Sequence, residues 1–285
     1  MATQEPGTDK ISRIAIQGVE GSFHQAAAQA FFGKHASVVC CLSFPELIRK
    51  TADKNQTDAG VMAIENSIAG SILPNYNLLQ RSDLKIVGEV YLHIKQQLLA
   101  NTGVCLEDIK EVHSHPMALQ QCTTFLDQYN WKFVETEDTA LSAKHIHKHK
   151  SKHIAAIASK IAGELYGLSV LAPNIHTQKN NYTRFLVLKR PEDVTVVEGA
   201  NKASLTFSAD HSRGSLAKVL TKIADAGMNL TKLQSFPIPG TDWLYSFYVD
   251  MEFETMSQYE ILIDKLLLVT SQLKVYGFYR SAKLK

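Results

Sequence analysis

Four short polar clusters, each at the end of an apolar run, carry the side chains of this chain best suited to chemistry. In NYTRF (181–185) a hydroxyl, Thr183, and a fixed cation, Arg184, stand between a turn and the apolar Phe185–Leu188 run. In IENS (64–67) a carboxylate, an amide and a hydroxyl follow one another at Glu65, Asn66 and Ser67. In SHP (114–116) Ser114 and His115 precede a proline, with Gln121 and Cys122 a short way on. GVEGS (18–22) brings two glycines and Ser22.

Each cluster has a plain structural reading beside the chemical one. Threonine is a hydrogen-bond donor and a poor acid, so it serves only where the leaving group does most of the work. Arginine offers a planar fork suited to a carboxylate. In an extended segment neighbouring side chains face opposite ways, so Thr183 and Arg184 divide between two faces. Taken alone, the stretch is a capped strand with two polar residues. The three polar residues of IENS exceed what one turn needs, and capping and function stay equally open there. A Ser114–His115 acyl-transfer couple is disfavoured, because adjacent side chains diverge and no G-x-S-x-G elbow is present. GVEGS lacks both GxGxxG and a following GK[ST], so a turn plus helix cap is favoured over a phosphate loop. A helix N-terminus there could still hold a carboxylate.

The remaining candidate is KHIHKHKSKH (144–153). His145, His147 and His149 sit two apart and are expected to diverge on a helix, and no cysteine or carboxylate completes a ligand set. A solvated basic helix end is the better reading, with no metal. The cysteines, Cys40, Cys41, Cys105 and Cys122, form no CxxC and read as reduced thiols of a cytoplasmic protein. Near Met1 there is no apolar signal-like core, and no apolar run approaches the roughly 20 residues of a spanning helix. The formal charge of +2 gives no reason to expect nucleic acid or a membrane surface as partner. At 45% hydrophobic and 20% charged, 285 residues suit a globular protein of two domains.

The elements that must position these clusters alternate. RIAIQG (13–18), SVVCCLSF (37–44) and AGVMAIEN (59–66) read as strands. Helices are expected at 22–33, with Ser22 as cap and Gly33 as stop, and at 45–54, led by Pro45. Residues 84–100 hold two strands. A second set follows: strand 111–116, helix 117–129, strand 131–137, helix 138–150, strand 153–159, helix 160–168 and strand 169–175. Such alternation predicts an α/β fold with mainly parallel sheets, in two lobes facing a cleft. The polar segment 191–201 reads as a linker. Beyond it, 203–210, 215–228, 229–236, 243–252, 259–273 and 274–279 give the ferredoxin-like β-α-β-β-α-β order. The first ten residues, MATQEPGTDK, are polar and are expected to be disordered.

In this order the clusters resemble the prephenate dehydratases that carry a C-terminal ACT regulatory domain. Gly18–Phe23 is similar to the family's opening glycine turn, Ile64–Ser67 to its IEN[ST], and Ser114–Pro116 with Gln121-Cys122 to its SHP…QC. Ala155–Ser159 with Tyr166–Leu168 is similar to its AA…YGL, and Thr183-Arg184-Phe185 is its TRF signature. The resemblance implies a two-lobed, periplasmic-binding-protein-like catalytic domain over 11–190, a linker over 191–201 and an ACT domain over 202–285. It implies conversion of prephenate to phenylpyruvate in phenylalanine biosynthesis, without cofactor or metal. Thr183 would assist the departing hydroxyl. Ser22, Glu65, Asn66, Ser67, Ser114, His115, Gln121, Arg184 and Phe185 would bind substrate or support the site, with Arg184 leaning towards bracing.

In the ACT part, Gly214, Ser215, Leu216 and Ala217 stand where the family often has GALV, and Asn229-Leu230 lies in its INLTK-like segment. Gln234 and Ser235 stand in the place of ESRP, which reads Gln234-Ser235-Phe236-Pro237 here. These would form the site for phenylalanine as effector, in a homodimer or homotetramer. The loss of two charges there bears on effector affinity or coupling. Met117 for the common Gln, and Val19 for the common Pro, are departures expected to matter little. Arogenate dehydratase is the nearest rival function. A non-catalytic two-lobed small-molecule sensor is the rival of another class.

Overall fold

The computed structural model of the protein describes residues 12–238, 240–241 and 244–282. The polar leader Met1–Lys10 lies outside these residues, as do Pro239 and Asp242 of the PIPGTD turn. The chain divides into two compact units. One comprises the chain up to Asp83 with Val90–Leu186, and the other Leu84–Glu89 with the chain from Val187 onward.

The first unit opens on β1 (Arg13–Gln17), whose Ile14, Ala15 and Ile16 are wholly buried. Helix α1 (Phe23–Phe32) starts where the Ser22 hydroxyl takes the Gln25 N–H and stops at Gly33, as expected. Then come β2 (Ser37–Cys41), α2 (Phe44–Ala52, capped by Ser43), β3 (Ala59–Asn66) and the two-residue β4 (Gly70–Ser71). Helix α3 (Leu73–Arg81) is absent from the elements expected from the sequence, although Pro74 is a start signal like Pro45. No side chain caps it, and Pro74 stands in its first turn. It is held instead by burying Asn75, Tyr76 and Leu79. The long β5 (Lys85–His93) follows.

The second lobe of this unit begins with β6 (Gln97–Ala100) and β7 (Glu111–Ser114). The single helix expected over 117–129 is two short ones, α4 (Pro116–Gln121) and α5 (Thr123–Leu126). The break falls at the wholly buried Cys122, whose backbone (φ −114°, ψ 12°) departs from the helical region. After it run β8 (Lys132–Glu135), α6 (Thr139–Lys148), β9 (Ile154–Ala158), α7 (Lys160–Leu165) and β10 (Ser169–Ala172). The chain then returns to the first lobe as β11 (Tyr182–Lys189).

Sheet order in the first lobe is β2-β1-β3-β11-β5, with β4 on β3; in the second it is β10-β6-β9-β7-β8. Parallel pairing holds among β1, β2 and β3 and among β7, β8 and β9. The expectation of mainly parallel sheets needs correcting at β6, which runs antiparallel to both β9 and β10. The central strands of both lobes are apolar runs buried on both faces, as helix-covered sheets require.

In the second unit a turn of 3-10 helix, Pro191–Asp193, precedes the βαββαβ array. The array is β12 (Lys202–Ser208), α8 (Ser215–Asp225), β13 (Asn229–Pro237), β14 (Tyr245–Glu252), α9 (Met256–Leu267) and β15 (Ser271–Tyr279). Helix α9 starts earlier than its pattern suggested because Thr255 caps it. The antiparallel order β13-β14-β12-β15 is the ferredoxin-like one. On β12, Ala203, Leu205 and Phe207 join the apolar core with Val219, Ile223 and Leu262 of the helices. Lys202, Ser204 and Thr206 therefore face the other side of this sheet.

Candidate active site

The site starts at the end of β3, where the sheet edge turns. The side-chain amide of Asn66 there makes five hydrogen bonds. Its Oδ1 accepts from the backbone N–H groups of Ile68 (3.0 Å) and Ala69 (2.9 Å). Its Nδ2 donates to Asn181 Oδ1 (2.8 Å), the Tyr182 carbonyl (3.1 Å) and Thr183 Oγ1 (3.0 Å). The orientation of this amide is fixed by chemistry. Two backbone donors face one end and a backbone carbonyl the other, and neither kind of group can exchange roles.

Ser67 fastens the turn that leads into β11. Its hydroxyl donates to the Asn180 carbonyl (3.0 Å) and accepts from Tyr182 N–H (2.9 Å), while its own N–H donates to the Tyr182 carbonyl (2.8 Å). The two clusters IENS and NYTRF are thus one assembly, with Thr183 half-buried beside Asn66. Thr183 and Arg184 lie inside β11 rather than in the turn ahead of it.

Asn181, which the sequence reading used only as a turn former, joins this assembly to the second lobe. It is wholly buried, and its Nδ2 donates to Gln121 Oε1 at the end of α4 (3.0 Å). No local signal marks it, since an asparagine before a strand reads as a turn former. A cavity of 330 Å³ opens beside this bridge, lined by Ile68, Ala69, Met117, Gln121, Thr177 and Asn181, among others. Met117 therefore borders the space between the lobes.

The glycine cluster forms a second crossing between the same lobes. Gly18 and Gly21 have φ of +93° and +89°, open to glycine and strained for other residues. A Cβ on Gly18 would stand 2.8 Å from Asp138 Oδ2, and one on Gly21 would stand 3.0 Å from Ala162 Cα. The Ser159 hydroxyl donates to the Gly21 carbonyl (2.6 Å) and the Tyr166 hydroxyl to that of Glu20 (2.8 Å). Asp138 also caps α6, through Leu141 N–H. Burial raises its carboxyl pKa above the usual range. Ser22 is a buried helix cap, and Gln25 Oε1 takes the Gly21 N–H (2.6 Å), so turn plus cap is what this loop is.

Two other expected residues take supporting places. Ser114 is wholly buried and its hydroxyl donates to the Ile157 carbonyl (2.6 Å), which ties it to the second lobe's sheet. His115 caps α4, its Nδ1 accepting from Met117 N–H (3.2 Å). Arg184 is 4% exposed and lies over the Tyr91 ring, 6.0 Å from its centroid. Phe185 is in the core, edge-on to His24 at 5.0 Å. Glu65 is half-buried and pairs with Ser71 across the β3–β4 turn.

The histidine cluster differs from expectation in one respect. His145 and His149 are four apart, and their rings come within 4.3 Å. Among the described residues there is still no group of three or more His, Cys, Asp or Glu suited to a metal ion. No helix among them is long and apolar enough to cross a membrane.

In the second unit the expected effector residues fall on two elements. Gly214 caps α8 in the left-handed region (φ +78°), and Ser215, Leu216 and Ala217 begin that helix. Asn229, Leu230, Gln234 and Ser235 lie on the edge strand β13. Phe236 is buried.

Comparison with known proteins gives concordant results. The family model described as prephenate dehydratase matches residues 14–193. A bifunctional chorismate mutase/prephenate dehydratase of Enterobacter agglomerans is 36% identical over 275 residues, 95% of this chain and 71% of that protein. Arogenate dehydratase 2 of Petunia hybrida is 41% identical over 226 residues, 79% of this chain and 57% of that protein. The crystal structure of prephenate dehydratase from Arthrobacter aurescens in complex with L-Phe matches with a TM-score of 0.83 at 27% identity, covering 95% of this chain and 90% of that one. At that coverage the match takes in β12–β15, α8 and α9 as well as the two lobes.

Proposed function

The chain belongs to the prephenate dehydratase family, and from that premise we propose that it converts prephenate to phenylpyruvate, CO2 and water, with Thr183 as the catalytic hydroxyl. The enzyme is a carbon–oxygen lyase acting in phenylalanine biosynthesis. As the ring carboxylate leaves as CO2, its bonding electrons enter the ring. The ring becomes aromatic and expels the hydroxyl from the opposite carbon. Aromaticity drives the step, so the site need only orient the ring, assist the departing oxygen and keep water away.

The observation that carries the role of Thr183 is the hydrogen bond that it accepts from Asn66. With its oxygen engaged from the protein side, its O–H is free to donate to the leaving hydroxyl. Asn66, Asn181 and Gln121 hold the two lobes in register around that donor. Ser67, His115, Ser22 and Ser114 hold the surrounding turns and caps. Arg184 braces the far face of β11. No residue in this set requires a cofactor.

Phenylalanine is the proposed effector, at the α8 N-terminus and β13 of the ACT-like unit. The family comparison includes a prephenate dehydratase solved with L-Phe. A homodimer or homotetramer and a cytoplasmic location complete the reading. Arogenate is the second substrate to consider, since a relative bearing that name is 41% identical over 79% of this chain. Turnover of both compounds by the purified protein tests the reading, with phenylalanine present and absent. Faster loss of arogenate would reverse the substrate assignment, and no phenylpyruvate from prephenate would end it.

A further inference from the structure

Thr183 occupies one face of β11. The other face of that strand, and of its neighbour β5, carries an unusual row. On β5 the same-face residues are Glu89, Tyr91 and His93, spaced by two. On β11 they are Tyr182 and Arg184. The rings of His93 and Tyr182 stack at 4.6 Å, and His93 Nε2 lies 2.6 Å from the Lys179 carbonyl. Arg184 stands over Tyr91, as described. Glu89 ends the row in a buried ion pair: Lys202 Nζ donates to both its oxygens, at 3.0 and 3.1 Å.

The side chains of Lys202 and Glu89 are 2% and 0% exposed. Glu89 also accepts from Ala282 N–H (3.0 Å). The segment around Glu89 has no slack. A Cβ on Gly277 would stand 2.0 Å from the Ile86 carbonyl oxygen, and Lys85 Nζ donates to the Val275 carbonyl (2.9 Å). A buried ion pair is a weak source of stability, because desolvation offsets the attraction. What it supplies is a single register: an unpaired charge here would be costly, so β5 cannot slide.

We propose that Glu89, Tyr91 and His93 are positioning residues for Thr183, anchored by Lys202. They fix the face of β11 opposite the catalytic hydroxyl, and so fix where that hydroxyl points. The proposal rests on Thr183 being the group that acts on prephenate. It also gives strand β5 a second role. Glu89 and Tyr91 stand two residues apart on β5, so a change at the ion pair acts on Tyr91 along that strand.

The test uses the full chain in three variants: the double change Glu89→Leu with Lys202→Met, which removes both charges and keeps the space filled, and Tyr91→Phe and Tyr91→Leu. Turnover of prephenate, thermal melting and hydrogen exchange of the 182–186 backbone are measured on each. The double variant is expected to fold, to lose about tenfold or more in kcat with KM within about twofold, and to exchange faster at 182–186. Tyr91→Leu should follow it, while Tyr91→Phe, which keeps the ring under Arg184, should stay within about twofold of the parent. A double variant with parental kcat and parental exchange overturns the proposal. If the double variant does not fold, equal kcat and exchange in Tyr91→Leu and Tyr91→Phe overturn it. Should the parent itself make no phenylpyruvate, the substrate reading fails, and the exchange rates still decide the positioning claim.

Discussion

Asn66 Nδ2 donates to Thr183 Oγ1 across 3.0 Å, strand to neighbouring strand, so the Thr183 oxygen is the acceptor in this bond. Thr183→Ala removes the outward donor and leaves the backbone untouched. It should fold with parental melting behaviour and lose about 10²–10³ in kcat, the usual cost of one donor at a developing charge. Thr183→Ser should keep part of the activity. Steady-state kinetics on prephenate decides, and an unchanged kcat in the alanine variant removes Thr183 from its role.

Asn66→Asp tests the same bond from the other side. A carboxylate can still accept from Ile68 and Ala69, but its second oxygen would face the Tyr182 carbonyl and Asn181 Oδ1. It would also draw the Thr183 proton inward. A drop in kcat approaching that of Thr183→Ala is expected, with some loss of stability from the two facing acceptors. Parental kcat in Asn66→Asp would show that the direction of the Thr183 proton is irrelevant.

Gly18→Ala tests why the glycine cluster is made of glycines. The added methyl meets both a φ of +93° and an Asp138 oxygen 2.8 Å away. Destabilisation of about 1–3 kcal/mol is expected, from backbone strain together with the steric clash. KM should rise as the lobes part. Urea titration and kinetics read the two effects separately, and a variant with parental values of both would show that this approach carries no weight.

What the sequence made legible, and what it hid, follows from the range of the interactions. Ser22 and Gly33 bounding α1, Asp138 capping α6 and Pro45 opening α2 are contacts within one turn, so their residue types announce them. The break at Cys122 depends on burial against distant strands, which no local pattern contains. The site divides the same way. Thr183, Asn66 and Ser67 were identifiable as polar groups at strand ends. Asn181 was not, because its partners lie 115 and 60 residues away in Asn66 and Gln121. Ser114 stood out as a polar group at a strand end, but the partner of its hydroxyl, the Ile157 carbonyl, lies on a distant strand that no local pattern announces.

The cysteines should separate by environment. Cys105 is exposed, whereas burial pushes the Cys41 thiol up to about 11 and that of Cys122 up to about 12. The thiolate is the reactive form, so at neutral pH the native protein should take up one equivalent of iodoacetamide at Cys105 well before Cys41 or Cys122 reacts. Peptide mass mapping over time checks this. Early labelling of Cys122 would mean that the second lobe's core opens easily.

His24 gives the fold a specific weakness to acid. It is 8% exposed, packed between Phe44 and Phe185, and accepts a hydrogen bond from Ala63 N–H (3.3 Å). Burial pulls its pKa from 6.5 down to about 3. The sign follows from linkage: below pH 6.5 the unfolded chain binds a proton at His24 that the folded chain refuses. The stability present above 6.5 therefore falls as pH drops towards 3, by up to about 1.4 kcal/mol per pH unit. Urea unfolding midpoints measured from pH 7.5 down to 4.5 should decline accordingly. His24→Gln keeps an acceptor for Ala63 N–H and cannot titrate, so its midpoints should decline less over the same interval. Parallel curves for parent and variant would place the acid sensitivity elsewhere.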